Sequence, residues 1–340
     1  MRPNIKERNF SIILPVRNGM PYIIDSVNSV LNQNYSNFEL HILDNNSSDG
    51  TLEWCQSIQD KRVKVSTSES SLSIEDSWGR ITGIKKLEFI TMFAHDDVFL
   101  PNFLKNINIL INRYPDANLF QTNGELIDNN GNLIRKCQPI KEIETSKDYL
   151  HARFSAKRDV FGTGYVMRSD LYDALGGIPK FNKLSFADDA LWLMLINDGF
   201  KACCKTNSIQ VRIHDKSVSA TNPSNWFGFL EAIKQFSEFL DKFKKQNADS
   251  FLTLAYLKKT FFKSYLINIY ILGLLHNAEN RKDFSNNELN LFVSTYESLS
   301  ESSYTSMRLS LKVLPIFILY KISPPLLIFL WRIYQAVRSR

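Results

Sequence analysis

Two pairs of adjacent aspartates are the residues best suited to chemistry in this chain. Asp96-Asp97 stands in "MFAHDDVFLP" (92–101), directly after the apolar approach "LEFITMFA". Asp188-Asp189 stands in "FADDALWLMLINDGF" (186–200), where an acidic loop turns into a helix. Neighbouring carboxylates repel, and at the end of a buried strand that repulsion needs a compensating partner. In general, carboxylate oxygens suit hard divalent cations, and a carboxylate near a hydroxyl can take its proton. Structural readings compete at both places. Asp96-Asp97 would cap the helix that Pro101 opens. Asp188-Asp189 would be a helix N-terminal pair stabilised by the macrodipole. A third polar cluster, Asp44-Asn45-Asn46, has the residue types of a turn. His214 in "VRIHDKS" is a lone histidine, a type as often structural as chemical.

The apolar pattern places these residues. "FSIILPV" (10–16), "FELHILD" (38–44), "RVKVS" (62–66) and "LEFITMFA" (87–94) read as buried strands. Helices alternate with them. Pro21 suits a first helical turn, Ser48 or Asp49 a cap before Thr51, the stretch 71–86 a helix, and Pro101 the opening of another through Tyr114. Strands alternating with helices predict βαβ units and a mainly parallel sheet. Ligands of such sheets lie beyond the carboxyl ends of the strands. Those ends carry Pro15-Val16-Arg17-Asn18, Asp44-Asn45-Asn46 and His95-Asp96-Asp97. No G-x-G-x-x-G or G-x-x-x-x-G-K-[ST] follows the first strand, which counts against a dinucleotide or P-loop site. "FGTGYVMR" (161–168) predicts a further strand and 209–219 the end of the mixed region. From Pro223 the pattern is helical, over 226–243, 250–275 and from Met307 onward.

Charge separates the chain into two parts. All 35 acidic residues lie at or before Glu301, and the tail beyond carries Arg308, Lys312, Lys321, Arg332, Arg338 and Arg340. Those six account for the whole net charge of +6. A neutral body with a basic, apolar tail points to a membrane surface, not to nucleic acid. In "VLPIFILYKISPPLLIFLWRIY" (313–334) Lys321 and Pro324-Pro325 divide the apolar run into two pieces too short to span a bilayer. The four cysteines form no C-x-x-C pair, which argues for a reducing compartment and against a zinc site. The polar N-terminus does not read as a signal peptide.

The stretch "SIILPVRNGMPYIIDSVNSVLNQNYSNFELHILDNNSSDGT" resembles the opening of a family 2 glycosyltransferase with the GT-A fold. "FITMFAHDDVFLP" resembles that family's D-x-D region, "FADDALWLMLINDGF" its catalytic-base helix, and "VRIHDKS" its R-x-H-x-x-S stretch. The resemblance covers roughly residues 10 to 220. It implies an inverting transfer of sugar from a nucleoside diphosphate-sugar donor to an acceptor hydroxyl, with Mn²⁺ or Mg²⁺ as cofactor. It implies donor contacts at Pro15, Val16, Arg17, Asn18, Asp44, Asn46, Arg80 and Asp96. Metal contacts would fall at Asp96, Asp97 and His214, and the base at Asp188 or its neighbour Asp189. The chain departs from the family pattern at three places. Ala94 stands for the first D-x-D aspartate, Ala187 for the glutamate before the base, and Trp78-Gly79 for an Arg-Asn pair, moving a diphosphate contact to Arg80.

The reading that follows is α/β: a Rossmann-like GT-A domain over 1–222 with a mixed, mainly parallel sheet flanked by helices, then a helical extension over 223–340. The tail from about 307 would associate with an anionic membrane, placing the protein in the cytoplasm on the inner face of the cell membrane. The acceptor would be a glycan, lipid-linked, in surface polysaccharide synthesis. A nucleotidyltransferase, and a non-catalytic membrane adaptor that keeps the fold, are the alternatives.

Overall fold

The computed structural model describes residues 5–214, 223–246 and 254–338. They fall into two compact units: one holds residues up to Lys180 together with Ala187–Ile213, the other Phe181–Phe186 with residues from His214 onward. The expected boundary at 222/223 falls at the edge of a stretch outside the described residues.

The first unit is built on one sheet. Strand β1 is Phe10–Val16, β2 Phe38–Asp44, β3 Val63–Thr67 and β4 Phe89–Met92; β5 is Val98–Phe99, β6 Leu119–Ile127, β7 Leu133–Lys136 and β8 Ile143–Glu144; β9 is Tyr165–Arg168 and β10 Lys201–Arg212. Their order is β3-β2-β1-β4-β9-β6-β10-β5, with β7 beside β6 and β8 beside β10. β3, β2, β1 and β4 run parallel. β9 is antiparallel to both β4 and β6, and β10 returns parallel to β6. Every residue of β1 is buried, which is why its sequence is a continuous apolar run without alternation. The chain leaves β1 towards β2 on one side and comes back to β4 on the other, so a switch point opens beyond the ends of β1 and β4.

Helix α1 (Tyr22–Leu31) starts right after Pro21 and buries Ile23, Val27 and Val30, a helical spacing. Helix α4 (Phe103–Arg113) buries Phe103, Leu104, Ile107, Leu110 and Ile111. Phe93, Phe99 and Phe103 stack in series, with ring centroids 4.0 and 3.9 Å apart. The Asp96-Asp97 turn is therefore anchored on both sides by one aromatic column.

Several local expectations differ from the structure. The helix expected over 71–86 is a short α3 (Ile74–Gly79), capped by the Ser73 hydroxyl, then a 3-10 turn over Arg80–Gly83. Residues just before it instead satisfy the Asn45 side chain: Leu72 N–H and the Ser68 hydroxyl donate to Asn45 Oδ1 at 2.8 and 3.1 Å. Helix α2 (Thr51–Gln56) has Gly50 at its cap position, in the left-handed region at φ 89°, and the Asp49 carboxylate accepts the first helical N–H, that of Thr51, at 3.1 Å. The strand expected over 161–168 is only β9; the stretch 209–219, expected to end the mixed region, begins as the end of β10, and its part beyond 214 lies outside the described residues, as do residues 250–253. Helices α5 (Ser146–Phe154), α6 (Ser169–Ala174) and α7 (Ala187–Leu195) complete this unit.

The second unit is helical: α8 is Trp226–Gln246, α9 Ala255–Glu279, α10 Asn286–Ser300 and α11 Tyr304–Arg308, with α12 Leu314–Ile322 and α13 Pro324–Arg338 at its end. Trp226 packs edge-on against Phe284, and Tyr270 stacks on Phe284 and tilts against Phe292. α12 and α13 are separated at Ser323, where Pro324 ends the hydrogen-bond ladder. Among the described residues, no helix is long and apolar enough to cross a membrane.

Candidate active site

The loops after β1 and β2 are knitted together by side chains that answer backbone donors. Asn18 N–H donates to Ser47 Oγ at 2.9 Å, and Ser48 N–H donates back to Asn18 Oδ1 at 2.8 Å. Gly19 N–H donates to Thr51 Oγ1 and Met20 N–H to Asp49 Oδ2, at 2.9 and 3.0 Å. Asn18 and Asn46 both have positive φ, 52° and 55°, a region that asparagine tolerates. Pro15 and Val16 are buried, whereas Arg17, Asn18 and Asn46 are exposed at the rim.

Asp44 is fully buried at the end of β2. Its Oδ2 accepts from Thr67 Oγ1 at 2.7 Å and Ser47 N–H at 3.2 Å. Its Oδ1 is buried with no protein donor. A buried carboxylate oxygen without a donor is costly, so a ligand N–H is the partner this position calls for. Arg80 reaches the same strand end: Nη1 donates to the Asp44 carbonyl at 2.6 Å. Its guanidinium thus lies where β2 and β3 finish.

The Asp96-Asp97 pair is not symmetric. Asp97 is 4% exposed, and its Oδ1 accepts the Arg212 N–H at 2.9 Å. Burial, then the Asp96 charge, pushes its carboxyl well above the usual carboxylate range. The carboxyl of Asp97, expected to contact a metal, faces the end of β10. Asp96 is half-buried at the same turn. Arg212, which sequence reasoning passed over in favour of His214, organises the turn. Its side chain is 3% exposed. Nε donates to the Asp96 carbonyl at 2.9 Å, Nη1 to the Asn129 carbonyl at 3.0 Å and Nη2 to Asp25 Oδ2 at 3.3 Å. The signal for it was its place one residue past an apolar strand run, but its partners lie far away in sequence. His214 is half-buried and belongs to the second unit.

The second acid pair is asymmetric as well. Asp189 is 1% exposed. The Tyr149 hydroxyl donates to its Oδ1 at 2.6 Å, and Arg153 Nε lies 3.0 Å from both carboxylate oxygens. Asp188 is half-buried, and its Oδ1 accepts the Asp189 N–H at 2.9 Å. Burial, then the Asp189 charge, raises the Asp188 carboxyl to about 7. A methyl group placed on Gly162 would lie 3.8 Å from Asp188 Oδ2. The next residue, Thr163, lies beside the Asp97 carboxyl. One dipeptide therefore runs between the two acid pairs and sets them at a single locale.

The residues present fit a divalent cation of one kind only. Among the described residues no three His, Cys, Asp or Glu side chains converge on a metal position. A dedicated protein cage is thereby ruled out for those residues. A single carboxylate such as Asp96 suits Mg²⁺ or Mn²⁺ that arrives with, and is mostly ligated by, substrate phosphates.

A family model described as glycosyl transferase family 2 matches residues 11–176. Over those 166 of its 340 residues the chain is similar to that family. It is a glycosyltransferase, which sets aside the nucleotidyltransferase and adaptor alternatives. The match covers the donor-side loops, α3 and the Asp96 turn, and stops before Asp188. An uncharacterized glycosyltransferase of Rickettsia typhi is 23% identical over 78% of this chain and 85% of its own length. The Escherichia coli WfgD protein, named a UDP-Glc:alpha-D-GlcNAc-diphosphoundecaprenol beta-1,3-glucosyltransferase, is 31% identical over 35% of this chain and 47% of its own. Among solved structures, residues 1–349 of S. aureus TarS with UDP-GlcNAc align with a TM-score of 0.53 and 16% identity, over 86% of this chain and 91% of that one. A mannosyltransferase from Pyrobaculum calidifontis with GDP-Man and Mn²⁺ aligns at 0.50 and 13% identity, over 94% and 87%. These structures share the GT-A fold with the glycosyltransferase described here.

Proposed function

We propose that this glycosyltransferase moves a sugar, with inversion, from a nucleoside diphosphate-sugar to a hydroxyl of a lipid-linked glycan, with Asp188 as general base. The observation that carries this reading is the division of labour between two adjacent carboxylates. Asp189 is committed to Arg153 and Tyr149, whereas Asp188 is half-buried beside a glycine with its carboxyl near 7. A base tuned to neutrality is what proton removal from an alcohol in the transition state requires.

In this mechanism Asp44 Oδ1 accepts an N–H of the nucleobase, and the Asn18 and Asn46 loops frame the nucleoside. Arg17 and Arg80 meet the diphosphate charge. Asp96 would hold Mn²⁺ or Mg²⁺, whose chemistry is to neutralise charge on the departing diphosphate. Asp188 receives the acceptor proton. The acceptor oxygen forms its bond to the anomeric carbon on the face opposite the diphosphate, and the C–O bond to phosphate breaks, its electron pair leaving with the nucleotide. Holding the two substrates in line supplies much of the rate. Residues 1–222 would be the catalytic domain and 223–340 its extension. The donors in the TarS and mannosyltransferase structures, and the polyprenyl diphosphate acceptor in WfgD's name, support the substrate classes.

Donor binding gives a direct test. A nucleoside diphosphate-sugar that binds only the folded state raises the melting temperature. Asp44→Asn replaces a pure acceptor by a mixed donor and acceptor, so the stabilisation by the cognate donor should fall by at least ~10-fold in apparent affinity. Undiminished stabilisation of the variant refutes the assignment of Asp44.

The tail supports a place on the inner face of the cell membrane. α12 and α13 leave large apolar side chains in solvent, including Ile322 at 78% and Phe329 at 59%, with Leu311 at 95% just before them. Lys312, Lys321 and Arg332 stand among them and no acidic residue does. Apolar faces in the acyl boundary and cations on anionic head groups make a monotopic anchor. Truncation after Ser306 should release the protein from anionic liposomes while sparing donor-induced stabilisation. Equal liposome binding by full-length and truncated chains removes the anchor.

A further inference from the structure

Asp189 is buried and acidic, and it sits next to a carboxylate that must ionise. Such a pair costs free energy unless its charge does something. The groups facing Asp188 are few. On its own helix there is Asp189. From α5 come Arg153 and Tyr149, and from β9 comes Tyr165. Behind these, Lys201 and Arg158 close on Glu144 at 2.6 and 3.0 Å, with side chains at most 4% exposed. The Arg158 guanidinium lies over the Tyr149 ring at 4.3 Å from its centroid. Lys201 Nζ lies over the Tyr149 and Tyr165 rings, at 5.5 and 5.4 Å. Tyr165 in turn stacks on Trp192 of α7 at 4.3 Å. Both helices that border the site are thus tied into one dry, charged layer.

Resting on the reading of Asp188 as the base, we propose that Tyr149, Arg153 and Asp189 form a positioning triad that fixes the Asp188 carboxylate and sets the charge it feels. Arg153 closes on both oxygens of Asp189 and Tyr149 takes one of them, so Asp189 has a single rotamer. Its backbone N–H then orients Asp188 Oδ1. None of the three touches substrate; each acts through Asp188. The two charges work against each other at that carboxylate. The Asp189 anion favours the protonated acid, and the Arg153 cation favours the ionised base.

This opposition has a signature that loss of packing does not produce. The measurement is the acidic limb of kcat/KM for transfer, with Asp188→Asn as the reference for the base. Asp189→Asn removes the anion and should move the limb to lower pH by about half a unit or more. Arg153→Gln removes the cation and should move it to higher pH. Arg153→Lys restores the charge without the fork, so the limb should return towards its wild-type position while kcat stays lowered. The double variant Asp189→Asn/Arg153→Gln strands no buried ion. Its limb should lie below wild type, because Asp189 outweighs Arg153 at Asp188. Thermal melts identify which of these variants fold, and the double variant alone suffices if a single one does not. Limbs that stay at the wild-type pH, or single variants that shift in the same direction, overturn the triad. An Asp188→Asn protein with full activity overturns instead the reading on which the triad rests.

Discussion

Asp188→Asn should lower kcat by about 10²–10⁴-fold, the range a positioned general base contributes. The substitution keeps the size of the side chain and its acceptance of the Asp189 N–H. It removes the negative charge and with it the ability to take a proton. Donor binding, read as thermal stabilisation by a nucleoside diphosphate-sugar, should change little, because proton removal matters in the transition state and not in the ground state. The wild-type enzyme should lose activity as pH falls through about 7, since a base with its pKa raised to that value is ionised only above it. If Asp189→Asn abolishes turnover while Asp188→Asn runs at full rate, the roles of the two carboxylates are reversed.

Asp96→Asn should be nearly as damaging and should fail differently. Asp97 faces the Arg212 N–H, and on the proposed mechanism the half-buried Asp96 shares a cation with the donor diphosphate. Its loss should weaken Mn²⁺-dependent donor binding and lower turnover by about 10²-fold or more, with Asp97→Asn acting chiefly on folding stability. Isothermal titration of nucleoside diphosphate with and without Mn²⁺ separates the two variants. Transfer in EDTA at the Mn²⁺ rate, or an Asp96→Asn protein whose nucleotide affinity responds to Mn²⁺ as wild type does, refutes the metal site.

Where the sequence was legible, one physical cause governed the outcome. β1, β2 and β4 are buried on both faces, so their apolar runs stand out. The clusters at their ends then fell on the ligand edge without further argument. β6 and the first half of β10 did not stand out, because their partners hide polar residues that a pattern treats as loop. Lys201 is fully buried, donating to Gln121 at 2.7 Å, and β10 is interrupted by register shifts on either side of Asn207. The choice between Asp188 and Asp189 was equally closed to sequence reasoning. Tyr149 and Arg153 stand 40 and 36 residues before Asp189, and nothing in their local pattern announces that pairing.

The Arg212 clamp also ties the acidic turn to a distant part of the chain. The donor-side loops close over short stretches of chain: Asn18 meets Ser47, 29 residues on. The acidic turn is held from both directions along the chain: the Ser26 hydroxyl, 71 residues away, donates to the Asp97 carbonyl, and the Arg212 N–H, 115 residues away, donates to the Asp97 carboxylate. Contacts of long sequence separation form late, because the intervening chain must first be ordered. On the proposed mechanism, a substitution that disturbs the end of β10 should therefore disturb the acidic turn as well, although the two are far apart in sequence.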